Sequence, residues 1–134
     1  MSDPQGLVAT LRRLAGRPTG RLDCCLAFSG GLDSTVLLHL LVQARARLPG
    51  ALALRVLHVD HGLQPAARDF RRQARRIAQD ARVSFRVLEA RVTVGRGDST
   101  EEVAREARYA ALRTALRPGE LLLTAQHADD QLET

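Results

Sequence analysis

The sequence predicts an α/β fold in which helices cover both faces of a parallel sheet of four or more strands. Short apolar runs that suit buried strands alternate with longer segments of helical periodicity, and such alternation produces a parallel sheet with right-handed crossovers. A Gly-rich stretch follows the first apolar run and opens a helix, as at the carboxyl edge of such sheets. With 134 residues, 45% of them apolar, the chain has room for one domain with a substantial core.

The first half of the chain supplies two helices and two strands. Leucines at helical spacing, followed by Gly16, predict the first helix, and a mostly apolar segment that ends before Pro49 predicts the second. The second strand is apolar along nearly its whole length, which is typical of a strand covered on both faces. In chain order the predicted bounds are helix 5–15, strand 21–28, helix 34–48 and strand 51–59.

The second half repeats the alternation. An amphipathic segment predicts the third helix, and the pair Ser99 and Glu102 forms a capping box that opens the fourth. The predicted bounds are helix 65–83, strand 83–89, helix 100–116 and strand 120–127. The last seven residues, ADDQLET, suit the start of a further helix, so we expect the domain to be truncated.

Charge and composition narrow the classes of function. The net charge is +5, and all 20 basic residues are arginine, which permits a polyanionic partner such as a nucleotide or nucleic acid. An aromatic content of 3% argues against a sheet that stacks bases. The sequence shows no secretory signal and no membrane-spanning run, which favours the cytoplasm. Cys24 and Cys25 are adjacent in a strand, point to opposite faces, and are expected to be two buried thiols.

The stretch SGGLDS, residues 29–34, is suited to hold a phosphate. Gly30 and Gly31 allow positive φ and close approach of a ligand, and the helix that follows offers free N–H groups to an anion. The chain has no lysine for a Walker-type loop and no G-x-G-x-x-G pattern. Asp33 would repel phosphate unless a divalent cation accompanied it, and Mg²⁺ suits that role. A purely structural alternative is a glycine turn in which Asp33 and Ser34 cap a helix.

Four stretches together resemble one family. SGGLDS is similar to the pyrophosphate loop of the PP-loop superfamily, the N-type ATP pyrophosphatases. In combination with HVDHGLQP, EEVAREARYAALR and LLTAQHADDQLET, it resembles the tRNA(Ile)-lysidine synthetases, from about residue 21 to residue 134. The resemblance implies an adenine nucleotide alpha hydrolase-like fold. It also implies that 1–134 is an incomplete N-terminal PP-loop ATP-binding domain, without the later strands and the C-terminal tRNA-binding domains.

The resemblance implies a ligase that modifies tRNA. ATP adenylates C2 of the wobble cytidine of tRNA(Ile) with a CAU anticodon, and free L-lysine then displaces AMP to give lysidine. The expected partners are ATP with Mg²⁺, lysine and this tRNA, and an exposed sheet edge would favour a homodimer. Two alternatives stay open: a tRNA 2-thiolation enzyme of the same superfamily, which would need further cysteines, and a non-catalytic ATP-binding fragment. The 134 residues alone are expected to be inactive.

The resemblance also assigns roles to individual residues. Those expected to bind pyrophosphate are Ser29, Gly30, Gly31, Leu32, Asp33 and Ser34. Those expected to edge the adenosine pocket are Ala27, His58 and Val59. The catalytic set comprises Asp33, Arg108, Asp129 and Asp130, in which Arg108 contacts the α-phosphate and the metal is held by Asp33 and Asp130. Glu133 and Thr134 also match the family.

Several of these residues have plainer interpretations. Asp129 and Asp130 could cap a helix, and Arg105, on the same helical face as Arg108, could pair with Glu101. A zinc site at His58, Asp60 and His61, with His127 and Asp129, is disfavoured by its spacing. The arginines of the third helix, at 68, 71, 72, 75 and 76, suit a solvated face better than a tRNA contact.

Overall fold

The computed structural model describes residues 3–29, 31–60, 67–90, 95, 97 and 99–125. These residues form four helices and four strands that alternate along the chain. Their bounds are α1 Pro4–Ala15, β1 Leu22–Phe28, α2 Leu32–Arg47, β2 Leu52–Asp60, α3 Ala67–Asp80, β3 Ser84–Glu89, α4 Thr100–Ala115 and β4 Leu121–Thr124. Among the helices within these ranges, none is both long and apolar enough to traverse a lipid bilayer.

The four strands form one parallel sheet in the order β3-β2-β1-β4. The chain builds outward from β1 to β2 and β3, and then returns to the other side of β1 as β4. In register, Leu26 lies between Val56 of β2 and Leu123 of β4. The predicted parallel α/β sheet is confirmed. The reversal of strand order places a topological switch point between β1 and β4, where α/β sheets bind ligands.

Helices cover both faces of the sheet, as predicted. Helices α1, α2 and α3 pack on one face, where the core includes Leu26, Leu38 and Val56. Helix α4 packs on the other face, where Leu112 contacts a cluster that includes Leu57. Residues that alternate along β1 and β2 therefore enter two different cores, which explains why these strands are apolar along nearly their whole length.

The two cysteines show this alternation directly. Cys24 belongs to the core beneath α1, α2 and α3, and Cys25 belongs to the core beneath α4. Both are buried free thiols, as predicted. Burial raises the pKa of Cys24 to about 12 and that of Cys25 to about 11, so both side chains are protonated and inert at neutral pH.

Two helices and one strand differ from their predicted bounds by more than one residue. Helix α2 begins at Leu32, two residues before the predicted start. Helix α3 ends at Asp80 rather than 83 because Arg82 adopts a positive φ of 57°. The N–H groups of Arg82 and Val83 donate to the carbonyls of Gln79 and Ala78, which is the hydrogen-bond pattern of a Schellman cap. Strand β4 ends at Thr124, before the predicted 127.

The amino end of α4 shows the predicted cap. The side chain of Ser99 accepts a hydrogen bond from the backbone N–H of Glu102 at 3.4 Å. This contact is one half of the capping box expected from the sequence.

A buried ion pair joins β2 to the start of β4 at the amino edge of the sheet. The Arg55 guanidinium donates from Nε and Nη2 to the two carboxylate oxygens of Glu120, the second at 2.7 Å, and Nη2 also donates to the Ala115 carbonyl at 2.7 Å. The side chains of Arg55 and Glu120 are only 11% and 5% exposed, respectively. Burial alone would raise the pKa of Glu120, but the bonds from Arg55 and the Arg117 N–H outweigh it and lower the pKa. The pair thus fixes where β4 begins.

Candidate functional site

The loop between β1 and α2 lies at the switch point of the sheet. Strand β1 ends at Phe28, α2 begins at Leu32, and the neighbouring strand β4 ends at Thr124, opposite Ala27. The stretch predicted to hold a phosphate is therefore at the carboxyl edge of β1, the edge at which open α/β sheets bind ligands.

Gly31 supports a binding role for this loop in an unexpected way. It adopts φ −109° and ψ 176°, which any residue can adopt, so the predicted positive φ is wrong at this position. Among residues 3–29, 31–60, 67–90, 95, 97 and 99–125, an added Cβ would meet only the Ser29 hydroxyl, at 3.9 Å, so the packing of these residues does not require a glycine either. A glycine without a Cβ also lets a ligand approach the backbone closely. Gly30 lies outside the described residues.

The amino end of α2 carries no side-chain cap among the described residues. The first helical hydrogen bond runs from the Thr35 N–H to the Gly31 carbonyl at 3.2 Å. The N–H groups that precede it belong to the uncapped first turn, where the helix dipole also favours negative charge. This end of the helix is suited to receive an anion.

Two serines tie the loop to the end of β4. The Ser34 hydroxyl accepts from the Ser29 N–H at 3.1 Å, lies 2.7 Å from the Ser29 hydroxyl and donates to the Ala125 carbonyl at 3.2 Å. Ser34 is completely buried, whereas Ser29 is half-buried. Of these two predicted pyrophosphate ligands, Ser34 thus has its hydroxyl committed to protein groups, and no sequence pattern indicates its link to Ala125.

Leu32 and Asp33 face solvent from the first turn of α2. The Leu32 side chain is 66% exposed, and Asp33 is exposed as well. No ion pair engages Asp33 within the described part of the chain. An exposed carboxylate beside an anion-binding helix end fits the way Mg²⁺ is held, by one or two carboxylates, phosphate oxygens and water.

The three residues predicted to edge one adenosine pocket lie on both faces of the sheet. Ala27 and Val59 belong to the core beneath α4. His58 is buried on the opposite face, where its Nδ1 lies 2.8 Å from the Phe28 carbonyl and its ring meets the Phe28 ring edge-on at 5.9 Å. His58 therefore supports the end of β1, and only Ala27 and Val59 share a face.

Arg108 and Arg105 flank one aromatic ring on α4. The Arg108 guanidinium lies 5.1 Å from the centre of the Tyr109 ring, and that of Arg105 lies 5.6 Å from it. Arg108 is half-buried and Arg105 is exposed. The alternative ion pair between Glu101 and Arg105 is not formed among the described residues. Tyr109 packs against the same core as Ala27, which places Arg108 on that side of the sheet.

The arginines of α3 make local contacts. Arg71 forms an ion pair with Asp60 at 3.0 Å, and the Arg75 guanidinium lies 5.1 Å from the centre of the Phe85 ring. Arg72 lies 4.0 Å from the exposed Asp69. These contacts are typical of a solvated helix face.

Several predicted site residues fall outside the described ranges. They are Gly30, His61, His127, Asp129, Asp130, Glu133 and Thr134. Within residues 3–29, 31–60, 67–90, 95, 97 and 99–125, no three His, Cys, Asp or Glu side chains lie close enough together to hold a metal ion.

Several curated proteins are similar in sequence to this chain. Relatives described as tRNA(Ile)-lysidine synthase include those of Pseudomonas aeruginosa (52% identical over 110 residues, 82% of this chain and 24% of the relative), Alkalilimnicola ehrlichii (50% over 110 residues, 82% and 24%) and Edwardsiella ictaluri (47% over 123 residues, 92% and 28%). The chain spans about a quarter of the length of these curated relatives.

One solved structure is similar to this chain, with a TM-score of 0.47 and 20% sequence identity. The match covers 63% of this chain and 29% of the chain in that structure. It is the U34-tRNA thiolase NcsA from Methanococcus maripaludis with its 4Fe–4S cluster. The family model described as the PP-loop domain matches residues 7–134, which include the loop after β1 and all but the start of α1. The chain therefore belongs to the PP-loop domain family.

Proposed function

We propose that this chain is the nucleotide-binding part of a ligase that joins lysine to C2 of the wobble cytidine of tRNA(Ile) with a CAU anticodon. The observation that carries the proposal is the loop at the switch point. It combines a helix end without a side-chain cap, a Gly31 whose described neighbours leave room for a ligand, and an exposed carboxylate at Asp33. About half of the residues are identical to those of relatives that bear the name tRNA(Ile)-lysidine synthase.

The first half-reaction needs ATP to be held by its leaving group. The backbone N–H groups that open α2, together with the Ser29 hydroxyl, would bind the β- and γ-phosphates and leave the α-phosphorus open to the cytidine C2 oxygen. Asp33 would hold Mg²⁺, which offsets the charge of the released pyrophosphate. Arg108 would contact the α-phosphate, since its planar and permanently charged guanidinium suits that group.

The second half-reaction needs an amine brought to the activated C2 atom. Attack by the lysine amine would form the C–N bond and expel AMP. Asp129 and Asp130, which lie outside the described residues, would steer the cytidine and the amine, and Asp130 would also share the metal. Ala27 and Val59 would line the adenosine pocket, since they share the face that carries Arg108.

Neither alternative function gains an observation from this chain. A thiolation enzyme needs reactive thiols, and burial raises the pKa of both Cys24 and Cys25 far above neutral pH. A passive ATP-binding module would bind ATP at the same loop but would release no pyrophosphate.

The test is the complete reaction in the intact protein. With ATP, Mg²⁺, L-lysine and the tRNA, we expect equal yields of AMP, pyrophosphate and a lysine-modified cytidine. Asp33→Ala should abolish pyrophosphate release, whereas Asp69→Ala, which removes an exposed carboxylate from the first turn of α3, should not affect it. A requirement for a sulfur donor, or ATP binding without pyrophosphate release, would contradict the proposal.

A further inference from the structure

The Ser34 hydroxyl joins the nucleotide loop to the end of β4, two segments that are 91 residues apart in the chain. It contacts the Ser29 N–H at 3.1 Å, the Ser29 hydroxyl at 2.7 Å and the Ala125 carbonyl at 3.2 Å. Because Ser34 has no exposure to solvent, water cannot replace any of these three partners.

The three contacts use the full capacity of one hydroxyl, which has one proton and two lone pairs. The Ser34 proton goes to the Ala125 carbonyl, and its lone pairs accept from the Ser29 N–H and the Ser29 hydroxyl. The Ser29 proton is therefore turned inward, toward Ser34. In this arrangement, Ser29 presents only lone pairs to the loop, and lone pairs repel an anion.

A bound phosphate group requires the opposite orientation of the Ser29 hydroxyl. To donate to a phosphate oxygen, the Ser29 hydroxyl must withdraw its proton from Ser34. The 2.7 Å contact between the two hydroxyls then survives only if Ser34 donates to Ser29 instead. Ser34 has a single proton, so the Ala125 carbonyl loses its hydrogen bond. One proton thus serves either the end of β4 or the phosphate-bound loop.

We propose that Ser34 is a positioning residue that couples nucleotide binding in the loop to the hydrogen bond at the end of β4. Its proton bonds Ala125 when the loop is empty, and bonds Ser29 when Ser29 donates to phosphate. No covalent bond changes, since two hydroxyl protons rotate and each keeps its oxygen. The inference rests on the proposed function, because it needs the loop to bind the phosphates of ATP.

The direct measurement is the ¹³C resonance of the Ala125 carbonyl in the intact protein. We expect Mg²⁺-ATP to move this resonance toward its position in Ser34→Ala, in which the carbonyl has no hydroxyl donor. In Ser29→Ala, the addition of Mg²⁺-ATP should leave the Ala125 resonance unchanged, because no Ser29 hydroxyl competes for the Ser34 proton. A wild-type resonance that stays fixed while ATP occupies the loop would overturn the inference, and this measurement does not depend on how well any variant folds.

Kinetics supply the second readout. Ser34→Ala should raise the KM for ATP about tenfold and change kcat by less than about threefold, because Ser29 loses the partner that orients it. Thr35→Val is the matched control, since Thr35 is also buried on the same helix but, within the part of the chain that the structure describes, its hydroxyl bonds only to the Gly31 carbonyl, at 3.0 Å. We expect that variant to lose stability without a change in the KM for ATP.

The outcomes separate the two proposals. If ATP does not bind to the wild-type loop, the proposed function and the coupling both fail. If ATP binds and pyrophosphate is released, but Ser34→Ala and Thr35→Val have the same KM for ATP, then the coupling alone fails and the proposed function stands.

Discussion

Replacement of Gly31 by alanine tests whether this glycine is needed for nucleotide binding or for the stability of the fold. Gly31 is the N-cap of α2 and has φ −109° and ψ 176°, a conformation that alanine adopts freely. The added methyl would lie 3.9 Å from the Ser29 hydroxyl, which is an ordinary van der Waals contact. The backbone conformation of Gly31 and its described neighbours therefore accept the substitution without strain.

Two opposing effects on stability nearly cancel. Alanine restricts the unfolded chain and stabilises the fold by about 0.4–1 kcal/mol. Alanine is also a poorer N-cap than glycine, which costs roughly 0.5–1 kcal/mol. We expect the free energy of unfolding to change by less than about 1 kcal/mol.

The effect on nucleotide binding should be larger. A phosphate oxygen bonded to a backbone N–H approaches to about 2.9 Å, and a methyl group on the adjacent Cα occupies part of that approach. The loss of one hydrogen bond to a charged group costs about 1.5–3 kcal/mol, which raises the Kd for Mg²⁺-ATP roughly 10- to 100-fold.

Gly50→Ala is the matched control, since Gly50 lies between α2 and β2 at the opposite edge of the sheet. Its φ is +81°, and no atom of the described residues lies within 4 Å of an added Cβ. The left-handed conformation should cost roughly 1–2 kcal/mol of stability and leave the Kd unchanged. Calorimetric titration and thermal denaturation of the intact protein measure both quantities. Unchanged affinity in Gly31→Ala, or a loss of several kcal/mol of stability, would refute the reasoning.

Three further predictions follow from other contacts. Arg108→Ala should slow pyrophosphate release at least tenfold while Arg105→Ala does not, although each loses one cation–π contact worth roughly 0.5–1 kcal/mol of stability; equal rates would make Arg108 merely structural. Glu120→Gln should lower the free energy of unfolding by about 3–5 kcal/mol at pH 7, since it leaves the buried Arg55 guanidinium without its charged partner. The fold lowers the pKa of Glu120, so its contribution is complete above the usual pKa of 4.5 and is lost as the pH falls further; the acid limb of a stability curve should therefore flatten in this variant. Iodoacetamide at pH 8 should alkylate Cys24 and Cys25 only after unfolding, because burial keeps both thiols protonated, and rapid labelling of the native protein would contradict this.

The sequence was sufficient for the sheet because its signals are local. Apolar runs, helical periodicity and the Ser99 cap depend on neighbouring residues, and each produced an element close to its predicted place. The left-handed Arg82 that ends α3 was missed because arginine at such a position leaves no compositional signal, whereas glycine would.

The site was less predictable because it depends on contacts between residues that are far apart in the sequence. The bond between Ser34 and Ala125 crosses 91 residues, and no pattern within either segment marks it. The placement of His58 on the face opposite Val59 follows from strand alternation, but the sequence does not say which face borders a nucleotide. Register and strand order, which emerge only from the assembled sheet, decide both contacts.

The buried pair of Arg55 and Glu120 bears on how this domain can vary. It holds the amino end of β4, a strand in which all four residues are buried. The two partners themselves are not independent: replacing either one alone leaves an isolated charge in the interior, whereas replacing both by apolar side chains of similar volume is tolerated. Natural variants of this fold should therefore retain both partners or exchange both together, and rarely show one without the other.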